Sequence, residues 1–181
     1  MLRRAIIHLL IDNRFLFNIV GFMLNDFVEF LKHLHLNKEA ITLIVSMMPV
    51  FELRGGIPLA VLHFKMPILE AYFISWFGNL IPVLPIIYFL EPIRKALSHI
   101  EIINKFFTWL YARTYKKSKK VMRYGAFGLT LFVAIPLPVT GAWTGSLAAI
   151  IFDIKPRYAF PAIILGVTIA GIVVSSFISL F

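Results

Sequence analysis

Glu52 and Arg54 stand two positions apart and are followed at once by Gly55, Gly56 and Pro58, inside sequence apolar enough to lie in a membrane. Charge in hydrocarbon costs several kcal/mol unless it is paired or hydrated, and glycine and proline interrupt helices. A membrane chain keeps such a segment mainly where backbone lines a cavity, which makes these residues a candidate site. Side chains two apart on a helix diverge, so each charge is expected to find a partner across the cavity or to bind a ligand. The planar donor fork of Arg54 suits a phosphate, and Glu52 could exchange a proton. The competing reading is an ion pair that only pins a turn.

A second group lies downstream. Pro136, Pro138, Thr140, Gly141, Trp143 and Thr144 carry no charge but offer hydroxyls, an indole N–H and the backbone N–H groups of a helix restarting after Gly141. Such a helix start is a ready anion site. Tight packing, with the hydroxyls bonded back to backbone, is the alternative. Asn79, beside Gly78 in another apolar stretch, reads as a hydrogen-bond bridge to one of these turns or as plain packing. Cysteine is absent, which removes thiolate sites, Cys nucleophiles and disulfides, and the five histidines fit no zinc pattern. No Walker, Rossmann or nucleophile-elbow pattern occurs. The expectation is a binding or transport site with no metal or cofactor, and no enzyme.

The elements that must hold these residues follow from composition. With 60% hydrophobic and 15% charged residues and a mean hydropathy of +0.86, the chain lies outside the soluble range and reads as an all-α integral membrane protein, a single membrane domain over 1–181. The net charge of +9 is then a topology signal rather than a nucleic-acid footprint. Nine of the 18 Lys and Arg fall between Arg94 and Arg123, marking 91–124 as a cytoplasmic loop. Ile93, Leu97, Ile100, Ile103, Phe106, Phe107 and Leu110 recur there at helical spacing, as in a basic amphipathic helix lying on anionic lipid.

Residues 1–39 read as N-terminal helices. Arg3 and Arg4 precede a short apolar run with no small-residue cleavage site, so it is expected to be retained. Residues 15–34 span the membrane or lie on its surface. The stretch 40–64 is long enough to span, yet Pro49, Gly55, Gly56 and Pro58 would break it and Glu52 would sit near its centre. A re-entrant hairpin fits better, followed by a span over 67–90. The pattern recurs as a hairpin over 125–153 and a span over 156–181. A shift of 89 positions pairs Pro49 with Pro138, Gly56 with Gly145 and Pro67 with Pro156, while Gly78 and Gly166 match one position out of register.

If each hairpin enters and leaves on one side, the second unit is inverted relative to the first, a plan common in secondary transporters. With the N-terminus inside and residues 15–34 crossing, Arg3, Arg4, Arg14, the nine loop residues, Lys155 and Arg157 face the cytoplasm, against Lys32, Lys38 and Lys65 outside. This satisfies the positive-inside rule and places the chain in the inner, cytoplasmic membrane.

Glu52-Leu53-Arg54-Gly55-Gly56-Ile57-Pro58-Leu59, Gly78-Asn79 and Pro136-Leu137-Pro138 with Thr140-Gly141-Ala142-Trp143-Thr144-Gly145 together resemble the putative small multidrug export protein family, which is grouped with the DedA/VTT membrane proteins. The resemblance runs from about residue 40 to the end. One departure is Val139, where the family usually has glycine. The grouping implies two re-entrant hairpins meeting in the membrane, and the wider superfamily implies transport, including lipid-carrier flipping and scrambling.

Three functions are carried forward. One is a transporter of an amphipathic or anionic substrate, such as a polyprenyl-phosphate lipid, with Arg54 and the second turn on the headgroup and Glu52 coupled to protons. The second is an exporter of drug-like cations paired with Glu52. The third is a non-transporting membrane-integrity or assembly factor that gathers anionic lipid on its basic loop. The partners expected are the bilayer and a small-molecule or lipid substrate, without nucleic acid, and a homo-oligomer is compatible with any of the three.

Overall fold

The structure is a computed structural model and describes residues 24–96, 124–135 and 141–180, together with scattered helical positions between 100 and 115. The described residues are helical, with no strand among them. They fall into two compact units, 1–41 and 42–181. In the first, helix α1 (24–33) carries a Glu29–Lys32 ion pair of 2.8 Å on its exposed face. It stops where His35 turns left-handed (φ 57°). Asn37 then caps the next helix, its Oδ1 accepting the Ala40 N–H at 2.9 Å.

Two stretches of the same order build the second unit. Helix α2 (Lys38–Met47), which belongs to this unit from Thr42 on, leads through a turn at 48–51 into α3 (Glu52–Pro58), which runs on as a π-helical turn over Leu59–His63. Helix α4 (Ile68–Leu80) follows and continues, past a turn at Pro82, into α5 (Val83–Ala96). The second stretch is α6 (Gly125–Ala134), α7 (Ala142–Ile151) and α8 (Pro156–Ile178). Residues 68–90 and 156–178 are each 23 residues of apolar helix, about 35 Å at ~1.5 Å per residue and long enough for a ~30 Å hydrocarbon core. By contrast α2, α6 and α7 have 10 residues each, about 15 Å, or half that thickness.

Packing repeats along with the order. Gly78 of α4 meets α2, where an added Cβ would lie 2.6 Å from the Leu43 carbonyl oxygen and 3.0 Å from Ser46 Cβ. Gly166 of α8 meets α6 in the same way, against the Thr130 oxygen (2.9 Å) and Val133 Cβ (2.6 Å). Leu43 and Thr130 are the sixth residues of their helices, Ser46 and Val133 the ninth. Gly56 sits against Ser46 and Ser75, and Gly145 against Val133 and Ile163, which are again matched positions. The one-residue slip between Gly78 and Gly166 has a structural cause. The π turn at Leu59–His63 takes up one extra residue in the first stretch, and α7 has no such turn.

The core lies where α3, α6, α7 and α8 meet, around Leu53, Ile57, Leu129, Val133, Ala148, Ile163 and Val167. Outward faces of the long helices expose Phe73, Phe77, Tyr88, Leu165, Ile172 and Phe177, as helices bathed in lipid would. Most of the basic stretch after Ala96 lies outside the described residues, so the amphipathic surface helix is not described. Of its neighbourhood, Lys105 pairs with Glu101 at 2.7 Å and Tyr115 stacks on Phe152, 5.3 Å between ring centres.

Candidate functional site

The site forms where the two turns meet. Glu52 opens α3 in a left-handed conformation (φ 51°), which costs a non-glycine residue about 1–3 kcal/mol and persists only when the surroundings hold it. What holds it is the start of α7. Glu52 Oε1 accepts the Trp143 N–H at 3.3 Å, and the Ala142 N–H faces the same carboxylate. Gly141 allows the approach, because a Cβ there would fall on the carboxylate, 2.5 Å from its Cδ. The backbone of Gly141 (φ 157°, ψ −162°) is also one that glycine adopts almost alone. The helix start expected to attract an anion therefore holds the chain's own Glu52, which is 6% exposed.

Arg54 reaches the opposite end of the same break. Its Nη2 donates to the carbonyls of Val133 and Ile135, both at 3.3 Å, in the last turn of α6 where orphan carbonyls carry the negative end of the helix dipole. Trp143 returns the interaction, its Nε1 donating to the Met47 carbonyl at 3.0 Å, at the end of α2. Positions 52 and 141, and 54 and 143, differ by the same 89 residues as Gly56 and Gly145. Each turn thus caps the helix that enters the other, with Arg54 in one and Trp143 in the other.

Asn79 completes the enclosure from α4. It lines the crevice with Glu52, Arg54, Gly141, Val133 and Val167, and the space between them is too narrow for a water molecule. Asn79 is 1% exposed, and its Oδ1 has no hydrogen-bond partner among the described residues.

Of the residues singled out by sequence, Glu52, Arg54, Asn79, Gly141 and Trp143 come together. Gly56 lies one turn along α3, between Ser46 and Ser75, and Gly55 packs on the Phe51 ring. Pro58 sits within α3, at the head of the π turn and outside the crevice lining. The Thr144 hydroxyl bonds back to the Gly141 carbonyl at 3.4 Å, the packing alternative for that residue. Pro136, Pro138 and Thr140 lie outside the described residues. Sequence reading missed the carbonyls of Met47, Val133 and Ile135, which no residue type announces. It also missed Ser75, whose spacing of four before Asn79 on one helix face was an available signal. Among the described residues no three of His, Asp and Glu converge as a metal site would require.

Long apolar helices around a closed, charged break define an all-helical membrane protein with an internal polar site. Residues 52–173 match the model of the putative small multi-drug export proteins, and the chain belongs to that family. Nothing among curated proteins or solved structures matches it.

Proposed function

We propose that the protein is a transporter of the cytoplasmic membrane in which α2–α3 and α6–α7 are re-entrant hairpins meeting near the midplane, inverted relative to each other, with the basic loop in the cytoplasm. Support comes from limbs about half a bilayer long and from reciprocal capping of the two turns. The substrate is amphipathic and anionic, and a polyprenyl-phosphate lipid is the class the site suits. One observation carries this reading: a carboxylate already lies on the N-terminal N–H groups of α7, at 3.3 Å from Trp143 N.

Glu52 is an internal stand-in for the substrate anion. Adding a proton to its carboxylate removes the charge that the α7 dipole holds, and Glu52 then yields the helix start to a phosphate. Arg54 supplies the second contact by moving from two neutral carbonyls to the phosphate oxygens, where charge-assisted bonds are shorter and stronger. Substrate and proton are coupled because the Glu52 carboxylate and the phosphate compete for one helix terminus, and protonation withdraws the carboxylate.

The test is headgroup translocation in proteoliposomes. Arg54→Ala is expected to lose it, and Glu52→Gln to retain binding while losing its dependence on the proton gradient. Unchanged translocation in both variants removes these roles. The family's description as drug exporters favours a second reading, in which Glu52 is the counter-charge of a cationic drug. Drug efflux that requires Glu52 and ignores phosphorylated lipids would select it.

A further inference from the structure

Polar side chains buried in the first repeat face apolar ones at the matched places of the second. Thr42 and Ser46 on α2 correspond to Leu129 and Val133 on α6, and Ser75 and Asn79 on α4 to Ile163 and Val167 on α8. Glu52 corresponds to Gly141. All eight helix positions are 0–1% exposed, so exposure to solvent does not account for the difference. Burying hydroxyls and amides costs free energy unless they are hydrogen-bonded, and the second half shows that the same packing is made without them.

These polar residues are contiguous. Ser46 and Ser75 converge on Gly56 from two helices, Ser75 Oγ lying 2.8 Å from where a Cβ would be. Asn79 stands one turn below Ser75 on the same face of α4 and lines the crevice with Glu52. In the other direction Ser46 bonds to the Thr42 carbonyl at 2.7 Å, and the Thr42 hydroxyl meets Met66 Sδ at 3.8 Å. Met66 is 3% exposed and is followed by the start of α4, while its neighbour Lys65 lies at the surface. Ser75 Oγ and Asn79 Oδ1 have no hydrogen-bond partner among the described residues. Two such oxygens on one face of α4, both fully buried, leave hydrogen-bonding capacity unused.

We propose that α2, α3 and α4 form a proton path from a mouth closed by Met66, along Thr42, Ser46, Ser75 and Asn79, to the Glu52 carboxyl, with no matching line among the described residues of the second hairpin. The inference rests on the reading of Glu52 as the proton carrier of the transporter. Arg54, on its own helix, is the charged group facing Glu52 among the described residues. The neighbouring helices present Asn79, the Trp143 N–H, Val133, Val167 and Ala170. A proton arriving along the path converts the carboxylate to the neutral acid, and no other bond is made or broken. Met66 is the gate, since an unbranched thioether side chain swings aside at little cost and opens the line to water. In the proposed topology the mouth faces outward, so the proton gradient drives entry.

The path is tested by proton influx into proteoliposomes holding a pH-sensitive dye, under an imposed potassium diffusion potential. Ser75→Ala and Asn79→Val, the latter installing the residue of the second repeat, are expected to cut influx at least tenfold. Met66→Ala is expected to raise it at least threefold, and the double variant Met66→Ala/Asn79→Val to return it to the level of Asn79→Val. Ser146→Ala, which removes a buried hydroxyl bonded to its own helix at the Ala142 carbonyl, should leave influx unchanged. The gain in Met66→Ala guards against loss through misfolding, because its suppression by Asn79→Val requires an intact line. Ser75→Ala and Asn79→Val variants that conduct like the wild type, a wild type that conducts no protons, or an unaltered Met66→Ala would each overturn the path. Headgroup translocation is read in the same vesicles without a gradient. If it survives while the influx predictions fail, the path is wrong and the Arg54 site stands; if Arg54→Ala leaves it intact, the site reading itself has failed.

Discussion

Replacing Gly141 with alanine puts a methyl carbon where the Glu52 carboxyl now lies, 2.5 Å from its Cδ. Two costs follow. The alanine must hold a backbone conformation (φ 157°, ψ −162°) that is nearly exclusive to glycine, worth about 1–3 kcal/mol. Glu52 must also leave the α7 N-terminus, forfeiting a charge–dipole interaction of up to about 2 kcal/mol in a partly buried setting. A total near 3 kcal/mol lowers the folding equilibrium constant on the order of a hundredfold. Equilibrium unfolding in mixed detergent micelles measures it, and a double-mutant cycle isolates the cause. In a Glu52→Ala background the collision is gone and only the backbone cost remains, so Gly141→Ala should cost at least ~1 kcal/mol less than in the wild type. Additivity of the two substitutions within ~0.5 kcal/mol would refute the seating of Glu52 against Gly141.

Other consequences are more direct. Trp143→Phe keeps the ring but loses the 3.0 Å bond to the Met47 carbonyl, and should destabilise by about 1 kcal/mol in the same unfolding assay. Arg54→Lys retains the charge but not the planar donor fork proposed to hold the phosphate, so headgroup translocation should fall at least fivefold rather than be preserved. Gly56→Ala drives a methyl group into Ser46 Oγ and should cost about 1–3 kcal/mol, with Ser46→Ala recovering part of it. Single cysteines replacing Lys65 and Lys155, both exposed and in a chain without native cysteine, should label from opposite faces of sealed vesicles. Labelling from one face would sink the inverted arrangement.

The sequence made the break points legible because proline, glycine and buried charge each carry a physical cost that only a special place repays. Pro49 located the first turn, but Gly55, Gly56 and Pro58, expected to break the helix, lie within α3; the shift of 89 located the second turn, so the helix order came through while the first turn fell a few residues early. Partners were not legible in the same way. Arg54 and Trp143 bond to backbone carbonyls of Val133, Ile135 and Met47, and every residue type has a carbonyl. Nor does composition reveal a positive φ at Glu52, since glycine and not glutamate is the usual occupant of that region. The one-position offset between Gly78 and Gly166 has no cause visible in the sequence, and in the structure the π turn takes it up.

The geometry of the two turns also bears on how they separate. Helix ends that face each other inside an apolar region must be satisfied by one another, because no water stands ready to replace a lost partner. Met47 and Trp143 meet this need with a neutral bond of 3.0 Å. The charged contacts of Glu52 and Arg54 are longer, 3.3 Å each, whereas relaxed charge-assisted bonds lie near 2.7–2.9 Å. In the proposed transporter, an incoming phosphate would offer Arg54 a better-placed partner, as a proton would offer Glu52 its release. The Trp143 contact gains nothing from either. In the proposed exchange it would therefore be the fixed point of the two turns, while Glu52 and Arg54, both on α3, would be the groups that move.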